Sequence, residues 1–210
     1  MRVVLTGFGP FPGVPFNPSA VLVKALARRR RPALAGVALT PHVFTTTYAA
    51  VDRDLPKLLA PKPDVVLMFG VAARRQHLCI ETRARNAHSV LHPDATRLGT
   101  GLGAQPAVVA GNKPNALRGF APFAELLGAM RTSRFPARLS RDAGRYVCNY
   151  AYWRALERAG GRVPLVQFVH IPPIRLAASR RRGGRDRLAL PRLLAAAEML
   201  LIALIAASRR

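Results

Sequence analysis

Three side chains in the sequence could together carry out nucleophilic chemistry: Cys148, His170 and Glu81. A cysteine attacks as its thiolate, so it needs a lowered pKa from a helix N-terminus, a neighbouring imidazole, or both. Cys148 follows a glycine-containing segment and precedes residues with helical spacing, so a helix is expected to begin there. Backbone N–H groups at that point would favour a thiolate and could face a developing oxyanion. The alternative is that Cys148 is a small buried apolar residue, the usual role of an unpaired cysteine.

His170 ends the strongest strand-like segment in the chain, residues 164–170, and two prolines follow at 172–173. In a sheet covered by helices, ligands bind beyond the carboxyl ends of the strands. This position therefore favours a general base. The alternative is a histidine that is merely hydrogen-bonded to the backbone in the core.

Glu81 lies in a strand-like segment, residues 78–82, where an unpaired carboxylate is costly to bury. Its partner could be His170, which would complete a nucleophile, a base and an acid that orients the base. Cys79 lies two residues earlier, so strand alternation places it on the same face as Glu81, although its apolar neighbours favour a core position. The residues that could instead form a purely structural ion pair with Glu81 are Arg75, Arg83 and Arg85.

The composition favours one domain, residues 1–210, with a sizeable core, since half of the 210 residues are hydrophobic. Two cysteines exclude a disulfide framework and indicate a reduced, cytoplasmic protein. The apolar stretch after Met1 is too short for the core of a signal peptide. The most hydrophobic part of the tail, residues 199–207, falls well short of the ~20 apolar residues of a spanning helix, so no membrane anchor is predicted.

The charge balance is strongly basic, with 33 Lys and Arg against 10 Asp and Glu and a formal net charge of +23. Such a chain attracts polyanions at low salt. The arginines are spread along the sequence, however, with runs only at 28–31 and 180–187, and no nucleic-acid-binding motif accompanies them. We therefore expect a solvated arginine-rich surface and no specific nucleic-acid partner. The histidines and cysteines match no metal-ligand spacing, so no metal site is predicted.

Strand-like and helical segments alternate along the chain, which predicts an α/β fold with a mostly parallel or mixed twisted sheet covered on both faces. The predicted strands are residues 3–6, 37–44, 65–69, 78–82, 137–140 and 165–170. The predicted helices are 18–26, 50–59, a segment within 115–130, 148–158 and a C-terminal helix over 190–208. The Arg-rich segment 180–187 is expected to be a mobile surface loop.

The first strand leads into a glycine-rich loop, residues 7–13, and loops of this kind bind phosphate in some proteins. It lacks both the Walker lysine and the G-x-G-x-x-G order. Its two aromatic residues, Phe8 and Phe11, suit an apolar pocket better.

Four segments of the sequence stand out together. They read Thr6-Gly7-Phe8-Gly9-Pro10-Phe11 with Asn17-Pro18-Ser19, Glu81-Thr82-Arg83-Ala84-Arg85-Asn86, Ala143-Gly144-Arg145-Tyr146-Val147-Cys148-Asn149, and Phe168-Val169-His170-Ile171-Pro172. In order and spacing, over roughly residues 1–175, they resemble the signature blocks of the pyroglutamyl peptidase I family of cysteine peptidases, also called pyrrolidone-carboxylate peptidases.

The resemblance implies a single-domain three-layer α/β/α sandwich with a triad of Cys148, His170 and Glu81 and no cofactor. Members of this family remove an N-terminal pyroglutamyl residue from peptides by acyl transfer to the cysteine and then to water. They commonly form tetramers, so a homo-oligomer, a dimer or a tetramer, is expected. The residues that match the family's substrate pocket are Phe8, Phe11, Tyr146 and Val147.

The sequence departs from the family at three places around the site. Val71 stands where the family usually has a glutamine that can hydrogen-bond the lactam. Val90-Leu91-His92-Pro93 replaces the family's Ala-Arg-Ile-Pro and loses an arginine that could help an oxyanion, and Tyr150 replaces a usual histidine. Two alternatives therefore stay open: the same triad acting on another small N-terminal acyl group or amide, or a non-catalytic basic binding protein.

Overall fold

The computed structural model describes residues 1–89, 109–161, 164–174 and 190–210. The strands in these ranges are β1 (Arg2–Phe8), β2 (Ala38–Phe44), β3 (Val65–Val71), β4 (Leu78–Glu81), β5 (Arg83–Arg85), β6 (Ala116–Arg118), β7 (Ala137–Ser140) and β8 (Leu165–Ile171). The helices are α1 (Pro18–Ala27), α2 (Tyr48–Leu59), α3 (Phe123–Thr132), α4 (Val147–Ala159) and α5 (Leu190–Ser208), with a 3-10 turn at Pro32–Leu34.

Six strands form a mixed sheet in the order β2-β1-β3-β8-β4-β7. All neighbouring pairs are parallel except β4 and β8. One apolar cluster covers one face of the sheet with α1, α3 and α5, and a second covers the other face with α2 and α4. The predicted three-layer α/β/α sandwich is therefore confirmed. The boundaries of the predicted single domain stay a prediction, and residues 90–93 and 180–187 lie outside the described residues.

The segment 115–130 differs from the helix predicted for it. Ala116–Arg118 forms β6, which pairs antiparallel with β5, and α3 begins only at Phe123. Pro122 explains the late start, because the residue before a proline is disfavoured in helical geometry. The three-residue strands β5 and β6 are too short for alternation to reveal them.

The C-terminal helix α5 is the one helix among the described residues that is long and apolar enough to cross a membrane. Its inner face is buried against α1, α3 and β3, and Leu193, Leu200 and Leu204 have no exposed surface. This packing is that of a core helix.

A buried carboxylate ties α5 to the end of α1. Glu198 is 5% exposed, and its two oxygens accept hydrogen bonds from Arg29 Nε at 2.7 Å and Arg31 Nε at 2.5 Å. Burial opposes ionisation of Glu198, but the hydrogen bonds and charges of the two arginines outweigh it and hold its pKa below the usual value. Part of the arginine run 28–31 therefore stabilises the fold, where the sequence predicts a solvated surface.

Glu198→Gln is expected to lower the free energy of unfolding near neutral pH by about 1–3 kcal/mol, because a neutral amide leaves two guanidinium groups without their carboxylate. The pKa of Glu198 is lower in the folded chain than the reference value of 4.5. Its contribution is therefore present above that value and is lost as the pH falls through the lower, folded-state pKa. Urea unfolding near neutral pH and at pH values well below 4.5 measures both effects.

The matched control is Glu125→Gln, which removes an exposed carboxylate that contacts Arg210. Its expected cost is at most about 0.5 kcal/mol. If the deficit of Glu198→Gln relative to wild type were unchanged in acid, the ionic account of this contact would be wrong.

Candidate active site

The site lies at the carboxyl ends of β3 and β8, where strand pairing brings distant residues together. Gly70 of β3 pairs with His170 of β8. On the other side of β8, Cys79 of β4 pairs with His170, and Glu81 pairs with Phe168. Paired residues of neighbouring strands point to the same face of a sheet. All five therefore share one face, on which Phe168 joins the apolar cluster that α4 covers.

His170 and Glu81 form a buried hydrogen bond. Nδ1 of His170 lies 2.9 Å from Oε1 of Glu81, whose side chain has no exposed surface, while that of His170 is 8% exposed. A carboxylate can only accept, so the proton of the pair lies on Nδ1. Nε2 of His170 is then the nitrogen that can act as a base.

The backbone and carboxylate of Glu81 have several further partners. Tyr152 Oη and Gln167 Nε2 each donate to its carbonyl oxygen at 3.0 Å. Arg75 Nη1 lies 3.1 Å from Oε1, the oxygen that also accepts from His170. Of the four partners that the sequence offered as alternatives for Glu81, His170 and Arg75 thus contact it at the same time. The side chains of Arg83 and Arg85 contact Arg141 and Asp142 instead.

Cys148 is the second residue of α4, which begins at Val147. A turn at Gly144, with φ of +81°, leads the chain into this helix, and its N–H donates to Asp142 Oδ1 at 3.0 Å. A Cβ atom placed on Gly70 would stand 2.7 Å from Cys148 Sγ. The sulfur therefore lies over the end of β3, directly beside the strand that carries His170.

The surroundings of Cys148 act against a free thiolate. The residue is partly exposed, but burial raises the pKa of Cys148 to about 12, and the negative charge of Glu81 adds to this. Its own backbone N–H acts in the opposite direction. The sequence predicts a lowered pKa, whereas this arrangement favours a resting thiol whose proton is removed by a base during attack.

Comparison with known proteins decides the family. A sequence model of the pyroglutamyl peptidase family matches residues 1–209. The chain belongs to the pyroglutamyl peptidase family.

Individual relatives agree with this assignment. A pyrrolidone-carboxylate peptidase from Cupriavidus pinatubonensis is 33% identical over 187 residues, which cover 86% of this chain and 82% of the relative. The crystal structure of pyrrolidone carboxyl peptidase from Thermus thermophilus has a TM-score of 0.79 and 28% identity, and the match covers 95% of this chain and 98% of that one. A mutant pyrrolidone carboxyl peptidase from Pyrococcus furiosus, 22% identical, shares the fold with a TM-score of 0.85 over 99% of this chain and 100% of that one.

Of the four residues that match the pyroglutamyl peptidase pocket, two are partly exposed and two are buried. Phe11 is partly exposed and its ring contacts that of Tyr146, with centroids 5.7 Å apart. Phe8 is fully buried against Phe44 and Phe168, and Val147 has no exposed surface. Phe11 and Tyr146 therefore form the accessible aromatic pair beside Cys148, and Phe8 and Val147 lie beneath the surface.

The departures from the pyroglutamyl peptidase pattern lie at different positions in the structure. Val71 pairs with Ile171, so strand alternation directs it to the face opposite Gly70. Its predicted role in substrate binding stays a prediction. Tyr150 donates its hydroxyl to Asp52 Oδ2 at 2.7 Å. Leu91 lies outside the described residues.

Three polar residues that support the site were missed from the sequence. Asn149 is fully buried and exchanges hydrogen bonds with the backbone of Arg85, at 2.8 Å and 2.9 Å, which fixes the start of α4 against β5. Tyr152 is four residues after Cys148, so helical spacing could have revealed its place on the same face. Gln167 could also have been noticed, because an amide inside an apolar strand is buried and needs hydrogen-bond partners.

No set of three or more metal-ligating side chains comes together in the part of the chain that the structure describes.

Proposed function

We propose that the protein is a cysteine peptidase that removes an N-terminal pyroglutamyl residue from peptides. The observation that carries the proposal is the position of Cys148 Sγ over Gly70, beside the His170–Glu81 hydrogen bond. This arrangement supplies a nucleophile, a base and an acid that orients the base. Membership of the pyroglutamyl peptidase family supports the choice of substrate.

The first half of the reaction forms an acyl-enzyme. Cys148 Sγ attacks the carbonyl carbon that joins the pyroglutamyl ring to the peptide, and His170 Nε2 takes the thiol proton. The backbone N–H groups around Tyr146–Cys148, at the start of α4, stabilise the oxyanion. The intermediate then collapses, the C–N bond breaks, and His170 returns the proton to the leaving amine.

The second half of the reaction restores the enzyme. His170 takes a proton from water, whose oxygen attacks the thioester carbon. The C–S bond breaks, the proton passes to sulfur, and free pyroglutamate leaves. Glu81 holds the imidazole in one orientation through both halves and faces the imidazolium that forms in each.

The recognition of the cyclic acyl group relies on apolar contacts. Phe11 and Tyr146 can cover the flat lactam, and the buried Phe8 supports the pocket from beneath. The valine at position 71 lacks the polar side-chain atoms of the glutamine that the family usually has there. This observation favours the second candidate, the same chemistry on another small N-terminal acyl group.

A substrate panel tests the proposed function. Purified wild-type protein is expected to release aminomethylcoumarin from the pyroglutamyl amide with a kcat/KM at least about tenfold above that for the prolyl, glutamyl and acetyl-alanyl amides, because a lactam pocket excludes free charge and wider groups. Mass spectrometry of a pyroglutamyl peptide should show loss of the first residue alone. Faster turnover of another acyl amide would replace this assignment with the second candidate, and no turnover of any would leave the non-catalytic binding protein.

We also propose a cytoplasmic homo-oligomer, a dimer or a tetramer. The family resemblance supports the assembly. The two unpaired cysteines, Cys79 and Cys148, support a reducing compartment.

A further inference from the structure

An arginine beside the triad has no part in the steps above. Arg75 follows β3, and its Nη1 lies 3.1 Å from Glu81 Oε1, the same oxygen that lies 2.9 Å from His170 Nδ1. Oε2 of Glu81 is buried and has no hydrogen-bond partner among the residues that the structure describes. Oε1 of Glu81 therefore contacts both His170 and Arg75. The direction of the contact with His170 depends on where Arg75 holds that oxygen.

The guanidinium group of Arg75 also forms hydrogen bonds with the segment that precedes the nucleophile. Arg75 Nη2 donates to the carbonyl oxygen of Asp142 at 3.1 Å, and Nη1 lies 3.4 Å from Ser140 Oγ. Ser140 ends β7, and the chain then turns through residues 141–146 into α4 and Cys148. Arg75 thus bridges the acid of the triad and the loop before its nucleophile.

We propose that Arg75 is a positioning residue that fixes the Glu81 carboxylate towards His170 and couples it to the loop before Cys148. The inference rests on the proposed function, since it assigns a role within that triad. Arg75 and an imidazolium at His170 would share the same oxygen of Glu81, Oε1. The other titratable groups around His170 among the described residues include Cys79 and Glu81 from β4 and Cys148 and Tyr152 from α4.

Two variants of Arg75 test the proposal through kinetics. Arg75→Met removes the charge and all hydrogen bonds, and is expected to lower kcat about 10- to 100-fold with little change in KM, because a misplaced base affects chemistry rather than binding. The acid limb of the pH profile of kcat/KM should move to higher pH, because an imidazolium at His170 would no longer share Glu81 Oε1 with a second cation. Arg75→Lys keeps the charge and should restore part of kcat and most of the position of the acid limb.

The matched control is Arg85→Met. Arg85 Nε lies 3.1 Å from Asp142 Oδ1, and its side chain is 34% exposed against 33% for Arg75, but Arg85 contacts the loop and not Glu81. The control is expected to lower thermal stability and to leave the acid limb in place. If Arg75→Met behaved like this control, with reduced stability and an unmoved acid limb, Arg75 would be only structural and the proposal would be overturned.

A titration that needs no turnover separates this inference from the proposed function. The chain has five histidines, and the ring signal of His170 can be identified in an NMR spectrum by its loss in His170→Asn. Its protonation midpoint is expected at higher pH in Arg75→Met than in wild type. An unchanged midpoint overturns the role of Arg75. A wild type that cleaves no pyroglutamyl amide overturns the function, whatever the titration shows.

Discussion

Replacing Cys148 with alanine is expected to lower kcat/KM for a pyroglutamyl amide by at least about 10⁴-fold, because the proposed acyl-enzyme forms on its sulfur. The fold should persist, since alanine fits the same place at the start of α4 and the sulfur is in no disulfide bond. Release of aminomethylcoumarin measures the activity, and circular dichroism with thermal unfolding measures the fold. Full activity in purified Cys148→Ala protein would refute the assignment.

The control for this variant is Cys79→Ala. Cys79 is buried in β4 between Leu78 and Ile80, which are buried as well, so its thiol is not accessible to substrate. Its replacement is expected to keep activity within about tenfold of wild type, since it removes one sulfur atom from the core. Iodoacetamide should label wild type and Cys79→Ala, but not Cys148→Ala. Because burial raises the pKa of Cys148 to about 12, its labelling rate should keep rising as the pH increases beyond 8.5.

A labelling rate that reached its maximum well below neutral pH would show a preformed thiolate. The thiol would then lose its proton before substrate binds, and the general-base step assigned to His170 would be wrong. The loss of activity in Cys148→Ala would be unaffected, so the two conclusions are tested separately.

The placement of the triad residues could be anticipated because each carries a local signal. A histidine that ends a buried strand lies at the ligand edge of the sheet, and a buried glutamate needs a partner. The contact of His170 with Glu81 confirms the pairing, while the catalytic roles remain the proposal. The pKa of Cys148 could not be anticipated, because it depends on how deeply α4 and β3 bury the sulfur.

The partners of Glu81 show what a sequence cannot reveal. Arg75 is six residues away along the chain, yet its position is set by a turn after β3 and by the carbonyl of Asp142 in a distant loop. Strand β6 could not be predicted for a similar reason. It forms because β5 pairs with it, and its own residues show no alternation of polar and apolar side chains. Long-range pairing, rather than local propensity, decides both features.

Gly70→Ala is expected to lower kcat/KM at least about 100-fold. The added Cβ would stand 2.7 Å from Cys148 Sγ and 2.9 Å from Phe168 Cζ, distances that real Cβ atoms do not tolerate. Either the sulfur rotates away from His170 or α4 shifts, and a displacement of about 1 Å at a reacting atom costs about 10²-fold. The overpacking should also lower the free energy of unfolding by about 1–3 kcal/mol.

Two controls separate the displaced sulfur from general instability. Gly128→Ala, in α3, adds a methyl group where nothing lies within 4 Å, so it should keep full activity and slightly raise stability. Introducing Gly70→Ala into the Cys148→Ala background removes the Cβ–Sγ clash and leaves only the contact with Phe168. The destabilisation should therefore be smaller there than in wild type, by thermal or urea unfolding. An equal destabilisation in both backgrounds, or an active Gly70→Ala enzyme, would mean that the sulfur does not occupy the space above Gly70 during catalysis.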